Sequence, residues 1–256
     1  MTVSLHNPVK ALLAAGGTAC GTLVTLPSAP LAQLLTAVGF DWLCFDMEHG
    51  PMSPETVHAM IAATAAGETV PLVRVPATTP WLVKPALDAG ALGIIFPFVS
   101  SPEAATEAAA ATHYPPTGRR GFGPFLAPAR WGVSMADYAA QADQEKLTVV
   151  MVETREAVER VDEILAIDGI DVAFVAPFDL SQSLGCPGEF DNPIFVEALA
   201  TAERRILDAG VVLGGLAVDP SVGEAMRSRG YRFLMLAFDG LIIDRAFRSF
   251  LDQVRD

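Results

Sequence analysis

The chain has 256 residues, 51% hydrophobic and 18% charged, and 30 acidic against 17 basic side chains give it a formal net charge of −13. That balance argues against nucleic acid, whose phosphates demand a basic footprint, and against an anionic membrane surface. High apolar content without low-complexity tracts excludes a disordered chain, and about 250 residues is enough for one α/β barrel that needs no disulfide or metal staple.

Taken in chain order, short β-branched runs alternate with Ala-rich amphipathic stretches. A strand is expected at 22–25, a helix at 31–38, a strand at 42–46 and a helix at 54–66. The alternation continues with strands at 70–74 and 93–96 and helices at 80–89 and 102–112. A long segment rich in Pro, Gly and Arg, 113–132, then breaks the rhythm ahead of a short helix near 135–144. Loops of this length inside a domain serve as lids or interface elements. Strands at 148–152 and 171–175 follow, separated by a helix at 155–166, and residues 178–193 read as irregular. The last units are a helix at 194–209, a strand at 211–216, a helix at 221–229, a strand at 233–237 and a final helix at 241–254. Eight strand-then-helix units predict a closed (β/α)8 TIM barrel, with residues 1–256 forming one domain. Gly39, Gly67, Gly90, Gly210 and Gly230 fall where helix C-caps belong.

Cys20, Cys44 and Cys186 are far apart and lack CxxC spacing, so neither a disulfide framework nor a zinc knuckle is expected. The apolar patch at 11–15 stops at Gly16 and Gly17 without a basic run before it, which argues against a signal peptide. The longest apolar run, 91–99, contains Gly93 and Pro97 and falls short of the ~20 residues that span a membrane. A cytoplasmic protein is the expectation.

In such a barrel, chemistry sits at the C-terminal ends of the strands. The second predicted strand ends in Asp46-Met47-Glu48-His49, the third in Arg74 and the fifth in Glu153, while the sixth leads to Asp179. Glu153 and Asp179 are two hard oxygen ligands on neighbouring strands, a set that suits Mg2+ or Mn2+. Each also has an ordinary reading: Glu153 as a first-turn helix acid, Asp179 as an N-cap before Leu180-Ser181. Arg74 ends an apolar run and needs a partner. That partner is either Asp46 or Glu48 across the strands, or the carboxylate or oxyanion of a substrate. His49 beside acids suits acid/base work at neutral pH, with Asp46 able to orient its ring. The three lysines, Lys10, Lys84 and Lys146, fall outside the predicted strands, so a Schiff-base mechanism is disfavoured and a metal must stabilise any enolate. Gly214-Gly215 offers a weak phosphate-loop reading, because no polar donor follows it.

Several runs together resemble the HpcH/HpaI aldolase/citrate lyase family, the metal-dependent pyruvate aldolases. They are Asp46-Met47-Glu48-His49-Gly50-Pro51, Pro71-Leu72-Val73-Arg74-Val75, Leu87-Asp88-Ala89-Gly90-Ala91-Leu92-Gly93, the stretch from Tyr114 to Gly123, Glu153-Thr154-Arg155-Glu156-Ala157, and Pro177-Phe178-Asp179-Leu180-Ser181. The resemblance spans nearly the whole chain. It implies a barrel of the phosphoenolpyruvate/pyruvate type and reversible cleavage of a 4-hydroxy-2-oxo acid into pyruvate, or hydroxypyruvate, and an aldehyde. Carried onto this chain, it makes Glu153 and Asp179 the ligands of a divalent cation (Mg2+, Mn2+ or Co2+) and Arg74 the binder of the pyruvate part. His49 and Asp46 become the acid/base dyad. Backbone around Ala176, Phe178 and Asp179 would hold the substrate carboxylate, and Leu216 would line the aldehyde pocket. It also implies a hexamer, a trimer of dimers that exchange the last helix. Leu23, Met151, Phe178, Asn192 and Phe238 depart from the family pattern, and the departures bear on the aldehyde side. Rival readings are an acyl-CoA lyase of the citramalyl/malyl-CoA type, against which the scarcity of lysine counts, and a non-catalytic oligomeric barrel.

Overall fold

A computed structural model describes residues 4–255. Eight parallel strands close into a barrel in chain order: β1 (Ala19–Val24), β2 (Trp42–Asp46), β3 (Val70–Arg74), β4 (Gly93–Phe96), β5 (Leu147–Val152), β6 (Val172–Val175), β7 (Val212–Ala217) and β8 (Phe233–Phe238), with β8 pairing back onto β1. The helices are α1 (Pro8–Ala14), α2 (Ala29–Val38), α3 (Pro54–Ala63), α4 (Pro80–Ala89), α5 (Pro102–Thr112), α6 (Ala127–Trp131), α7 (Met135–Glu145), α8 (Arg155–Glu159), α9 (Val161–Leu165), α10 (Pro177–Leu184), α11 (Pro193–Asp208), α12 (Pro220–Ser228) and α13 (Asp239–Arg255), with one 3-10 turn at Thr64–Ala66. Proline at the first turn sets the start of most of them, because its missing N–H is an orphan there anyway.

Two apolar layers result from the strand period of two. Alternate residues such as Trp42, Leu72, Val149, Phe174 and Phe233 fill the barrel interior, and the intervening ones, such as Phe45, Val73 and Val150, pack against the helices. Trp42 stacks on Phe233 with ring centroids 4.2 Å apart, over Gly21, where any side chain would collide with the indole. The pair Gly214-Gly215 has the same explanation. A Cβ on Gly214 would press on Phe174 at 3.1 Å, and one on Gly215 on Met226 at 2.6 Å, so packing accounts for these glycines without a phosphate.

Four segments differ from the sequence reading. Residues 8–14 form α1, whose buried Val9 and Leu13 join the interior cluster, while the Asn7 side chain donates to the Leu92 carbonyl at 3.2 Å. It closes the floor of the barrel, at the N-terminal ends of the strands. The helix expected at 155–166 is two short ones, broken at Arg160. Of residues 178–193, read as irregular, 178–184 belong to α10 and Pro193 opens α11. Finally, the segment 113–132 does not roof the mouth of its own barrel. It is tied to the opposite face through Arg130 to the Thr64 carbonyl (3.1 Å) and the Trp131 Nε1 to the Gly90 carbonyl (2.9 Å). Phe122 and Phe125 are left exposed on it, which suits an interface rather than a lid.

Candidate active site

Period two delivers the site. Counting inward positions along each strand (42, 44, 46; 70, 72, 74; 147, 149, 151, 153; 172, 174, 176; 212, 214, 216) places Asp46, Arg74, Glu153, Ala176 and Leu216 at the top of the barrel interior. Asp46 and Arg74 are register partners on adjacent strands.

That register decides the open question about Arg74. Its Nε donates to Asp46 Oδ1 at 2.9 Å and its Nη2 to Oδ2 at 2.8 Å, a bidentate pair in which Asp46 is fully buried. Burial works against the guanidinium charge, but the hydrogen bonds and charge of Asp46 outweigh it and hold the Arg74 pKa above its ordinary value. Nη1 of Arg74 reaches Glu48 at 3.2 Å. Both partners suggested by the sequence are therefore engaged, and the fork still borders the mouth.

Asp46 is consequently committed to Arg74 and not to the His49 ring. Its Oδ1 also accepts the backbone N–H groups of Glu48 (3.1 Å) and His49 (3.3 Å), so it fixes the turn that carries the histidine through main chain. The His49 imidazole is exposed, and its Nε2 lies 3.8 Å from Glu48 Oε2. Glu48, which the sequence suggested only as a partner for Arg74, is thus a member of the site, and burial raises its pKa against the pull of Arg74.

Across the mouth the balance is different. Glu153 is 2% exposed and precedes Thr154, the N-cap of α8, so it is not a first-turn helix acid. Burial, above all, pushes its pKa up to about 7. The charges of Asp179 and Glu48 push the same way, opposed by the Phe98 N–H, which donates to Glu153 Oε1 at 2.5 Å, and by Arg74. Phe98 makes that bond from left-handed backbone, φ 53°, a conformation that costs a non-glycine residue about 1 kcal/mol or more. Its part in the site had no sequence signal.

Asp179 is not an N-cap: Ala176 occupies that position, and Asp179 lies in the first turn of α10, where the helix dipole favours a carboxylate. No side chain caps α10, so its first N–H groups are free to meet an anion. Phe178 is 47% exposed beside them, and Leu216 stands at the top of β7. Among the described residues no cluster of three or more His, Cys, Asp or Glu side chains is placed around one metal position. A cation here would take Glu153, Asp179 and oxygens from water or substrate. That is a fitting set for Mg2+, which keeps several waters. A buried carboxylate repelled by two others is the kind of donor that a divalent cation relieves.

A closed barrel with a guanidinium fork and a cluster of carboxylates at its mouth is the frame of an enzyme for a small anionic substrate. The profile of the HpcH/HpaI aldolase/citrate lyase family matches residues 21–246. The 2-keto-3-deoxy-L-rhamnonate aldolase of Klebsiella pneumoniae is 36% identical over 247 residues, covering 96% of this chain and 92% of that one. The hydroxypyruvate/pyruvate aldolase of Roseovarius nubinhibens is 35% identical over 249 residues, 97% of each. Among solved structures, a family member from Burkholderia cenocepacia superposes with a TM-score of 0.92 at 36% identity, covering 98% of this chain and all of that one. The chain belongs to the HpcH/HpaI aldolase/citrate lyase family, and it is an enzyme of the aldolase class. No described helix is long and apolar enough to cross a membrane.

Proposed function

We propose that the protein is a divalent-metal-dependent aldolase that reversibly cleaves a 4-hydroxy-2-oxo acid into pyruvate, or hydroxypyruvate, and an aldehyde. The observation that carries this reading is Glu153, a buried carboxylate met by one backbone N–H and raised in pKa by burial and by the charges of Asp179 and Glu48. Glu153 and Asp179 would hold the cation, which supplies Lewis acidity to the 2-keto group and offsets enolate charge. The α10 N–H groups following Ala176 bind the substrate carboxylate. Arg74, held rigid by Asp46, presents its remaining donor capacity to the 2-oxygen, where charge develops. His49 takes the proton of the C4 hydroxyl. As the C4 oxygen becomes a carbonyl, the C3–C4 bond breaks and its electron pair flows to C3 and the C2 oxygen. Protonation at C3 then completes pyruvate. Asp46 serves the acid/base step by fixing the turn that bears His49 through its backbone N–H groups.

Assembly by exchange of α13 belongs to the same reading. Ile243, Phe247, Phe250 and Val254 form one exposed apolar face of that helix. A groove of about 500 Å³, lined by Leu31, Leu35 and Val38 of α2 with Leu236 and Ile242, stands open between α2 and α12. A partner's α13 would fill this groove in a dimer, and three such dimers would form a hexamer. Three free cysteines suit the reducing cytoplasm.

The test is exchange of the pyruvate methyl protons with deuterated water, with Mg2+, Mn2+ or Co2+ and no aldehyde. Metal-dependent exchange without any thioester is expected. Inactivation by borohydride in the presence of pyruvate, the mark of a Schiff base, would overturn the reading.

A further inference from the structure

The His49 ring is aimed by its backbone: among the described residues it meets Glu48, at 3.8 Å, and makes no hydrogen bond. One side of its turn is held by Asp46, whose Oδ1 accepts the Glu48 and His49 N–H groups. The other side abuts the loop after β1. A Cβ on Gly50 would stand 2.3 Å from the Asp46 carbonyl oxygen and 3.2 Å from that of Thr25, so the chain passes between them only as glycine. That loop owes its place to Asp239, the first residue of α13. The buried carboxylate of Asp239 accepts the Thr25 N–H at 3.0 Å, the Thr25 hydroxyl at 2.7 Å, the Leu26 N–H at 2.9 Å and the Gly240 N–H at 2.8 Å. Bonds to an ionised acceptor are about twice as strong as neutral ones. The end of β8 is deformed to deliver this carboxylate. Against β1 the register jumps from Gly21 opposite Met235 to Leu23 opposite Phe238, so β8 carries one extra residue, and Ala237 there takes left-handed backbone, φ 54°. Thr22 Oγ1 spans the bulge and donates to the Leu236 carbonyl at 3.0 Å. Bulges of this kind re-aim a side chain.

We propose that Asp239 is a positioning residue for the proton transfer: it holds Thr25 and Leu26 against Gly50 and thereby fixes where the His49 ring stands. The inference rests on the aldolase reading, in which His49 takes the C4 hydroxyl proton, and adds to it a residue that touches neither substrate nor metal. Three successive loops around the mouth, after β8, β1 and β2, are linked in one chain. It runs from the carboxylate to the main chain of Thr25 and Leu26, from the Thr25 carbonyl to Gly50, and from Gly50 to His49. The other parts of the site lie outside it: Glu153 follows β5, Asp179 sits on α10, and Arg74 is gripped by Asp46. Loosening Asp239 therefore costs the proton step and spares the binding of metal and pyruvate. A reacting group displaced by about 1 Å can lose ~100-fold in rate. An amide cannot replace the carboxylate. Whichever way it turns, its NH2 group meets a backbone N–H, that of Leu26 or that of Gly240, donor to donor.

The experiment follows cleavage of the fastest substrate among the pyruvate adducts of acetaldehyde, glycolaldehyde and succinic semialdehyde. Asp239→Asn and Thr25→Ala are each made in the wild-type protein and again beside His49→Ala. D239N should lower kcat at least ~10-fold and T25A ~3-fold, with KM and the dissociation constants of Mn2+ and pyruvate within about twofold of wild type. Thr25→Ser, which keeps the hydroxyl, should hold the wild-type rate. In the His49→Ala protein neither substitution should lower the residual rate further, because a group that acts through His49 has nothing left to act on. Thr25 is half-buried on a loop, so T25A keeps the test open should D239N not fold. Equal losses with and without His49, or KM and metal affinity that worsen along with kcat, would overturn the proposal and leave Asp239 a cap of α13. The two readings fail separately. If His49→Ala lowers cleavage while the Asp239 and Thr25 variants do not, only the positioning role falls; if His49→Ala cleaves at the wild-type rate, the acid/base assignment falls and the positioning role with it.

Discussion

The two halves of the barrel mouth solve opposite electrostatic problems. On β2 and β3 the buried charges cancel within the protein: the Arg74 fork grips Asp46 with two hydrogen bonds and reaches Glu48 with a third contact. On β5 and β6, Glu153 is equally buried and faces more negative charge, with one backbone N–H, that of Phe98, as its nearest compensation. The first half is complete as folded. The second would gain most from a positive group, and that asymmetry is the basis of the proposed cation site.

The sharpest way to break the comparison is to remove the charge from the incomplete half. Chelation should abolish turnover, and added Mg2+, Mn2+ or Co2+ should restore it. Glu153→Gln keeps an acceptor for the Phe98 N–H but would remove one of the two proposed protein ligands, so metal affinity should fall at least ~100-fold. Isothermal titration with Mn2+ reads this directly, and unchanged affinity would move the cation site elsewhere.

The same substitution and its counterpart across the mouth should change stability with opposite signs. Arg74→Ala strands Asp46, fully buried, without its counter-ion, and should cost about 3–5 kcal/mol in urea denaturation of the metal-free protein. Replacing both residues, R74M with D46L, should recover most of that, though not the activity. Glu153→Gln, by contrast, should stabilise the metal-free protein near pH 8, because it deletes a repelled charge. If both single variants destabilise equally, the two halves are not electrostatically distinct.

A third effect follows the protonation of Glu153. Its pKa in the folded chain, about 7, lies above the ordinary value of 4.5, so the native state holds this proton more tightly than the unfolded one. The stability it contributes is fully present below pH 4.5 and is lost as pH rises through 7, an expected decline of ~3 kcal/mol in the metal-free protein. Saturating divalent cation should flatten the slope, since binding selects the carboxylate and expels the proton. Denaturant melts between pH 4.5 and 8 measure this, and Glu153→Gln should lack the decline.

How much of this was legible beforehand depends on the kind of signal. Strand ends were readable because alternation is strict: the inward parity of 42, 44 and 46 or of 70, 72 and 74 carries Asp46 and Arg74 to the mouth wherever the strands pair. Which neighbour Arg74 grips was not readable, since that depends on the register that sets Asp46 opposite Arg74. The same register took Asp46 from the His49 ring. Helix α10 was missed because it follows β6 without a linker, although Pro177 at its first turn and Gly185 beyond its end were both signals. Seven-residue α1 is too short to stand on periodicity and owes its stability to the barrel floor it covers.

Phe98 gives the smallest effect and the finest test of the asymmetry. Its N–H, not its side chain, meets Glu153, and its left-handed backbone is a conformation that glycine adopts at little cost. Phe98→Gly should therefore keep the hydrogen bond, leave Mn2+ affinity within about twofold and change stability by no more than ~1 kcal/mol, as relieved strain offsets the greater freedom of the unfolded chain. Phe98→Pro removes the donor and forbids the positive φ, so it should raise the Glu153 pKa further and weaken the metal at neutral pH. If the two variants match in metal affinity, the amide is a bystander, and burial together with the neighbouring carboxylates sets the charge of Glu153.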